Sequence, residues 1–147
     1  MLALDRQGSL TEALLWEREP AGSVVCNLCA HRCRIRPGLR GICGVRQNVD
    51  GTLVTLVADR VVAAEVDPIE KKPFFHFLPG RRAYSIATVG CNLHCLFCQN
   101  WAISQWPREA SRPISGDPTS PRAIVAAASA GGCAAIAYTY TEPTMFF

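Results

Sequence analysis

Cys91, Cys95 and Cys98 stand at a C-x3-C-x2-C spacing, directly after the apolar run Ala83-Tyr84-Ser85-Ile86-Ala87-Thr88-Val89 and Gly90. Thiolates this close together suit soft-metal chemistry, either zinc or an iron–sulfur cluster. Structural zinc sites and ordinary cubane clusters take four protein ligands, so three cysteines are an incomplete set. They can hold a 4Fe-4S cluster with one iron left open for a small molecule. The other reading is a zinc knuckle that borrows a fourth ligand such as His94 or Cys133. A second set, Cys26, Cys29, Cys33 and Cys43, runs C-x2-C-x3-C-x9-C and is complete in itself. Its default is a structural site, zinc or an auxiliary cluster, and zinc is favoured because no ferredoxin-like second set accompanies it. A structural zinc contributes on the order of 10 kcal/mol of folding free energy. The arginines of that segment (Arg32, Arg34, Arg36 and Arg40) read as a solvated basic face, with offsetting of a tetrathiolate's charge as the alternative.

The elements that position these groups follow from local pattern. Ser9-Leu10-Thr11-Glu12 fits a capping box opening a helix through Ala13, Leu14 and Leu15 that stops before Pro20. Residues 45–66 alternate as strands do, with Asp50-Gly51 as a hairpin turn, and predict a three-stranded antiparallel meander beside the cysteine knuckle. Asp67 to Gly80 reads as a proline-containing loop in which Glu70, Lys71 and Lys72 are solvated and His76 is partly buried among phenylalanines. After the strand at 83–89, Trp101-Ala102-Ile103-Ser104 forms a short helix. Ser120-Pro121 caps a helix of small residues that ends at Gly131-Gly132, and residues 133–140 form a strand apolar on both faces. Cys133 reads as a buried small hydrophobe.

Strand, loop, helix and strand in this order predict a βαβ unit. The expected fold class is α/β, the start of a partial (β/α) barrel over residues 83–147. Residues 1–82 precede it as an accessory region carrying the four-cysteine knuckle and the antiparallel strands. A barrel needs ~250 residues, so the chain reads as the N-terminal part of a longer protein.

With 49% apolar and 18% charged residues, the chain of 147 can bury a core. A net charge of +3 is too small to argue for nucleic acid or a membrane surface. Eight clustered cysteines favour metal ligation over disulfides and a reducing compartment, hence a cytoplasmic location.

The strand followed by C-x3-C-x2-C, with Phe97 just before the last cysteine, resembles the radical S-adenosylmethionine (SAM) superfamily. Gln99-Asn100-Trp101 is similar to the continuation found in glycyl-radical activating enzymes. Cys26–Cys33, Gly41–Arg46, Asp67–Pro73, His76–Gly80 and Tyr138–Pro143 resemble, in the same order, the radical SAM enzymes of the AmmeMemoRadiSam system, which are pyruvate-formate-lyase-activating-enzyme-like. The resemblance implies that Cys91, Cys95 and Cys98 hold a 4Fe-4S cluster whose open iron chelates SAM. One electron then cleaves SAM to methionine and a 5′-deoxyadenosyl radical. It implies an electron donor such as flavodoxin or ferredoxin and a substrate left open, a glycyl-radical-type protein being one kind. Asn100 is expected to hydrogen-bond SAM or the cluster, or to cap the helix after it. Thr141 and Glu142 match the family's SAM-contacting Gly-Gly-Glu position, although Tyr140 and Thr141 replace both glycines. Leu93, Leu96 and Phe97 are expected to wrap the thiolates and exclude water. Outside the resemblance, an electron carrier or a non-enzymatic zinc or Fe–S module remains open.

Overall fold

The computed structural model describes residues 10–109 and 111–147. Eleven short strands and two α-helices follow one another. They are β1 (Thr11–Glu12), β2 (Trp16–Arg18), β3 (Val24–Cys26), β4 (Arg34–Ile35), β5 (Arg46–Val49), β6 (Thr52–Thr55), β7 (Arg60–Val61), β8 (Ala63–Pro68), β9 (Arg82–Ala87), α1 (Trp101–Ser104), β10 (Asp117–Pro118), α2 (Pro121–Ala130) and β11 (Ala135–Tyr138). They form small sheets ordered β1-β6-β5, β2-β3-β4, β11-β9-β8 and β10-β7.

This corrects the expected fold class. The architecture is mostly small antiparallel sheets with two short helices, not the start of a (β/α) barrel. Among the described residues, β9 with β11 is the one parallel pairing, Ala135 opposite Ala83 through Tyr138 opposite Ile86. The other edge of β9 is taken by β8, antiparallel from Ala63–Ala87 to Pro68–Arg82. That pairing uses the stretch expected to complete the meander, and the sheet therefore joins residues on both sides of position 82. The hairpin of β5 and β6 does form, with Asp50 and Gly51 at φ of 49° and 81°, as a two-residue turn of this hand requires. Its third strand is β1 instead.

The helix expected from residue 9 is also absent among the described residues. Ser9 lies outside them, and Thr11 and Glu12 are already extended. Ala13 N–H donates to Leu53 O at 2.8 Å, Leu15 is left-handed at φ 56°, and the Arg46 guanidinium takes Leu14 O at 2.7 Å. Long-range partners satisfy the backbone better than a capped turn would. The second helix obeys its local signals: Ser120 Oγ accepts from Ala123 N–H, Pro121 opens α2, and the chain leaves it at Gly131 and Gly132.

The core is divided among small clusters. Val24, Cys26, Ile35 and Leu53 pack under the four-cysteine segment. Cys43, Val45, Val57, Val89 and Met145 join that segment to the end of β9's strand region. Each fully buried aliphatic side chain stabilises by roughly 1.5–3 kcal/mol, so the second cluster holds the knuckle against the loop that follows β9. Among the described residues no helix is long and apolar enough to cross a membrane.

Candidate functional site

Gly90 makes the turn off β9 at φ 90°, a conformation that disfavours any side chain. A Cβ there would lie 2.5 Å from Val45 Cγ1 and 2.9 Å from Cys43 O. The two cysteine segments are thus in backbone contact. Arg108 shapes the loop beyond: its guanidinium donates to Cys91 O at 2.9 Å, Leu93 O at 2.7 Å and His94 Nδ1 at 2.8 Å. Because guanidinium only donates, Nδ1 of His94 is unprotonated. His94 is exposed, and local desolvation, then Arg108 and His31, push its pKa down. His31 Nε2 donates to Asn92 O at 2.7 Å and pins the loop to the four-cysteine segment from the other side.

On this loop Cys91 is buried, Cys98 half-buried and Cys95 exposed. Leu93 N–H donates to Cys91 Sγ at 3.4 Å, and Cys98 Sγ lies 3.3 Å from Ser104 Oγ. The apolar residues do not wrap the thiols: Leu96 is fully exposed, Phe97 is 87% exposed and Leu93 about half. Three soft donors on one loop are of the chemistry a cluster takes, with a backbone amide donating to one sulfur and a hydroxyl beside another. Cys133 is excluded as a fourth ligand, since it precedes β11 at the end of the parallel pair opposite the loop.

Cys26, Cys29, Cys33 and Cys43 line one small cavity of about 10 Å3, with Ile35, Ile42 and Met145. Burial raises the Cys33 and Cys43 thiol pKa values. Cys26 and Cys29 add to the shift at Cys33, and Cys26 and Cys33 add to it at Cys43. The buried Arg46 guanidinium lies 3.7 Å from Cys26 Sγ, while Arg34 pairs with Glu19 and Arg40 donates to Pro107 O. The cation beside the thiols is thus one that sequence reasoning passed over. Among the described residues no three His, Cys, Asp or Glu stand at metal-holding distance in either segment, so ligation requires the thiols to draw inward.

Asn100 precedes α1, yet its side chain does not cap that helix. Its Nδ2 donates to Tyr140 O at 2.9 Å, tying the cysteine loop to the end of β11. Thr141 is buried with Oγ1 donating to Thr88 O at 3.0 Å, and Glu142 accepts from Thr144 N–H at 2.7 Å. Both hold the strand end in shape. Just before them Tyr140 sits at φ 66°, and Thr141 N–H closes back on Thr139 O at 2.8 Å. This is the strained form of γ-turn, rare for a residue with a side chain.

The Tyr140 hydroxyl donates to Asp67 Oδ2 at 2.6 Å. The same carboxylate accepts from Ser85 Oγ, Lys71 Nζ and Lys72 Nζ, each at 2.7 Å. Burial alone would raise the Asp67 pKa, but these four donors together hold it well below the carboxylate range. The Tyr140 phenol is pushed up by burial and by Asp67. Lys72, expected at the surface, has a side chain only 9% exposed, whereas His76 is exposed. The spacing of Asp67 to Lys71 and Lys72 was the available signal, but Tyr140 arrives from 73 residues away. The group borders an open cleft of about 990 Å3, lined also by Ile69, Phe74, Phe77, Asn100 and Thr141.

The chain is 41% identical over 138 residues to Uncharacterized protein MJ0808 of Methanocaldococcus jannaschii, a match covering 94% of the chain and 40% of that protein. It is 29% identical over 99 residues to Uncharacterized protein MJ0674 of the same organism, covering 66% of the chain and 24% of that protein. The chain thus spans less than half the length of either relative. No protein-family profile matches it. No solved structure matches it either, and no barrel relative supports the fold class expected from sequence.

Proposed function

We propose that the chain carries the cluster-binding part of a radical SAM enzyme, working in a reducing, cytoplasmic setting with a flavodoxin- or ferredoxin-like donor. The observation that carries this reading is the Asn100–Tyr140 hydrogen bond, which sets the Cys91/Cys95/Cys98 loop at the border of the large cleft. Cys91, Cys95 and Cys98 are the ligands of a 4Fe-4S cluster, which when bound supplies the electron for reductive cleavage of SAM. Arg108 and His31 hold the loop by its carbonyls, leaving Cys95 and the open side accessible. Asn100, Thr141 and Glu142 fix the strand end that faces the ligand. Cys26, Cys29, Cys33 and Cys43, which line one small cavity, hold a separate ion, zinc because no ferredoxin-like second set accompanies them.

The test is anaerobic reconstitution with iron and sulfide. We expect about four irons per chain, lost on replacing any one of Cys91, Cys95 and Cys98 by alanine, and an EPR signal of the reduced protein that changes on adding SAM. A brown protein indifferent to SAM would make it an electron carrier. A colourless one would make it a zinc module.

A further inference from the structure

The cleft has an end that the cysteine loop does not use. There Lys72 is buried, donates one hydrogen bond to Asp67 Oδ2, and lies 4.9 Å from the Tyr140 ring centroid. An ammonium carries three donors. Among the described residues no second hydrogen-bond acceptor meets Nζ of Lys72, though a buried ammonium short of acceptors is costly. Asp67 Oδ2 can take no more, since it already accepts from Lys72, Ser85 and Tyr140, while Oδ1 holds Lys71. Of the other acids nearby, Glu70 is turned to the Gly80 amide at 2.6 Å and Glu65 lies on the Lys71 side. Lys72 therefore keeps hydrogen-bond donors free at this end, with Lys71 at the rim. Around it Ile69, Phe74 and Phe77 supply an apolar wall. A cleft of about 990 Å3 with a few convergent polar groups is of the size that takes a small molecule. The strained turn at Tyr140, held by its bond to Asp67, lies at the same place, and strain of this kind gathers at ligand sites.

We infer that this end of the cleft binds the carboxylate of a small, partly apolar ligand, received by Lys72 with Lys71 at the rim, while Asp67, Ser85 and Tyr140 hold the lysines in place. A singly charged carboxylate suits the one lysine with free donors, whereas a phosphate monoester, at about −1.5 to −2, is repelled more strongly by Asp67, Glu65 and Glu70. The inference names a ligand class for the cleft and rests on the reading of that cleft as the reaction site. Its test needs no metal, so the two fail separately.

The test titrates butyrate, butylamine and inorganic phosphate into the reduced, metal-free chain at pH 7, following lysine ε-methylene signals by NMR. The Lys72 signal is identified by its loss in Lys72→Met. We expect butyrate to shift that signal saturably, to show intermolecular NOEs to the Tyr140 ring, and to bind at least about tenfold more weakly to Lys72→Met. Lys71→Met, at a half-exposed position, should weaken binding by less than about threefold. Phosphate should bind more weakly than butyrate, and butylamine not at all. Equal butyrate affinity in wild type and Lys72→Met overturns the inference, as does tighter binding of phosphate. Should Lys72→Met fail to fold, the NOEs in the wild type decide: their absence at saturation overturns it equally.

Discussion

At the scale of single residues, Asp67 does the most. It is buried near the end of β8, and four donors from three parts of the chain converge on it. Replacing it by asparagine leaves Lys72 buried beside a neutral group, and we expect a loss of about 3 kcal/mol in urea unfolding at pH 7. Lys71 is half exposed and its pair adds little to that figure. The pH dependence follows from the depressed pKa. The unfolded chain holds the Asp67 proton more tightly than the native state does, so its stabilisation is complete above about pH 4 and is lost as pH falls through the native value. Tyr140 acts in the opposite sense, because its raised pKa gives stability that is complete below about pH 10 and lost as pH rises further. Unfolding midpoints from pH 7 to 2 should therefore fall less steeply for Asp67→Asn than for the wild type; parallel curves would show that the network carries no linked proton. The sequence displays the acid and the two lysines four and five positions on, but a solvated helix face or loop shows the same spacing. What distinguishes them is Tyr140, and contacts across 73 residues leave no local trace.

At the scale of elements, local chemistry was legible where the chain obeys it. Asp50-Gly51 makes the hairpin, Ser120-Pro121 starts α2, and Gly90 turns the chain off β9. It was misleading where a distant partner offered more. Thr11 and Glu12 lie in a strand against β6 despite a helix-start pattern, and the third strand of the expected meander left it for the longer edge of β9. Gly90 is the element-scale test. Alanine there must adopt φ 90° and press on Val45 and Cys43, so Gly90→Ala should destabilise by at least about 2 kcal/mol. It should also loosen the four-cysteine segment from the loop, seen as faster amide exchange at Gly44 and Val45, with β11 unaffected. Unchanged exchange there would mean the two segments are held elsewhere.

For the whole molecule, the apolar core is small and divided, and the four-cysteine segment contributes Cys26 and Cys43 to two of its clusters. Thiols in such positions are both packing groups and potential ligands, which the sequence could not reveal because spacing alone says nothing of burial. An ion drawing the four together would tie β3 and β4 to the segment that meets Gly90, supplying cohesion that β2, β3 and β4 lack on their own. We therefore expect the Cys91/Cys95/Cys98 triple alanine variant to retain about one zinc per chain and no iron. Stripping that zinc with a chelator should cost several kcal/mol. Amide exchange should rise first over residues 24–46, while the β8–β9–β11 sheet keeps its protection, since its pairings run through no cysteine. Iron retained in the triple variant would make the second centre an auxiliary cluster, and neither metal retained would remove the site altogether.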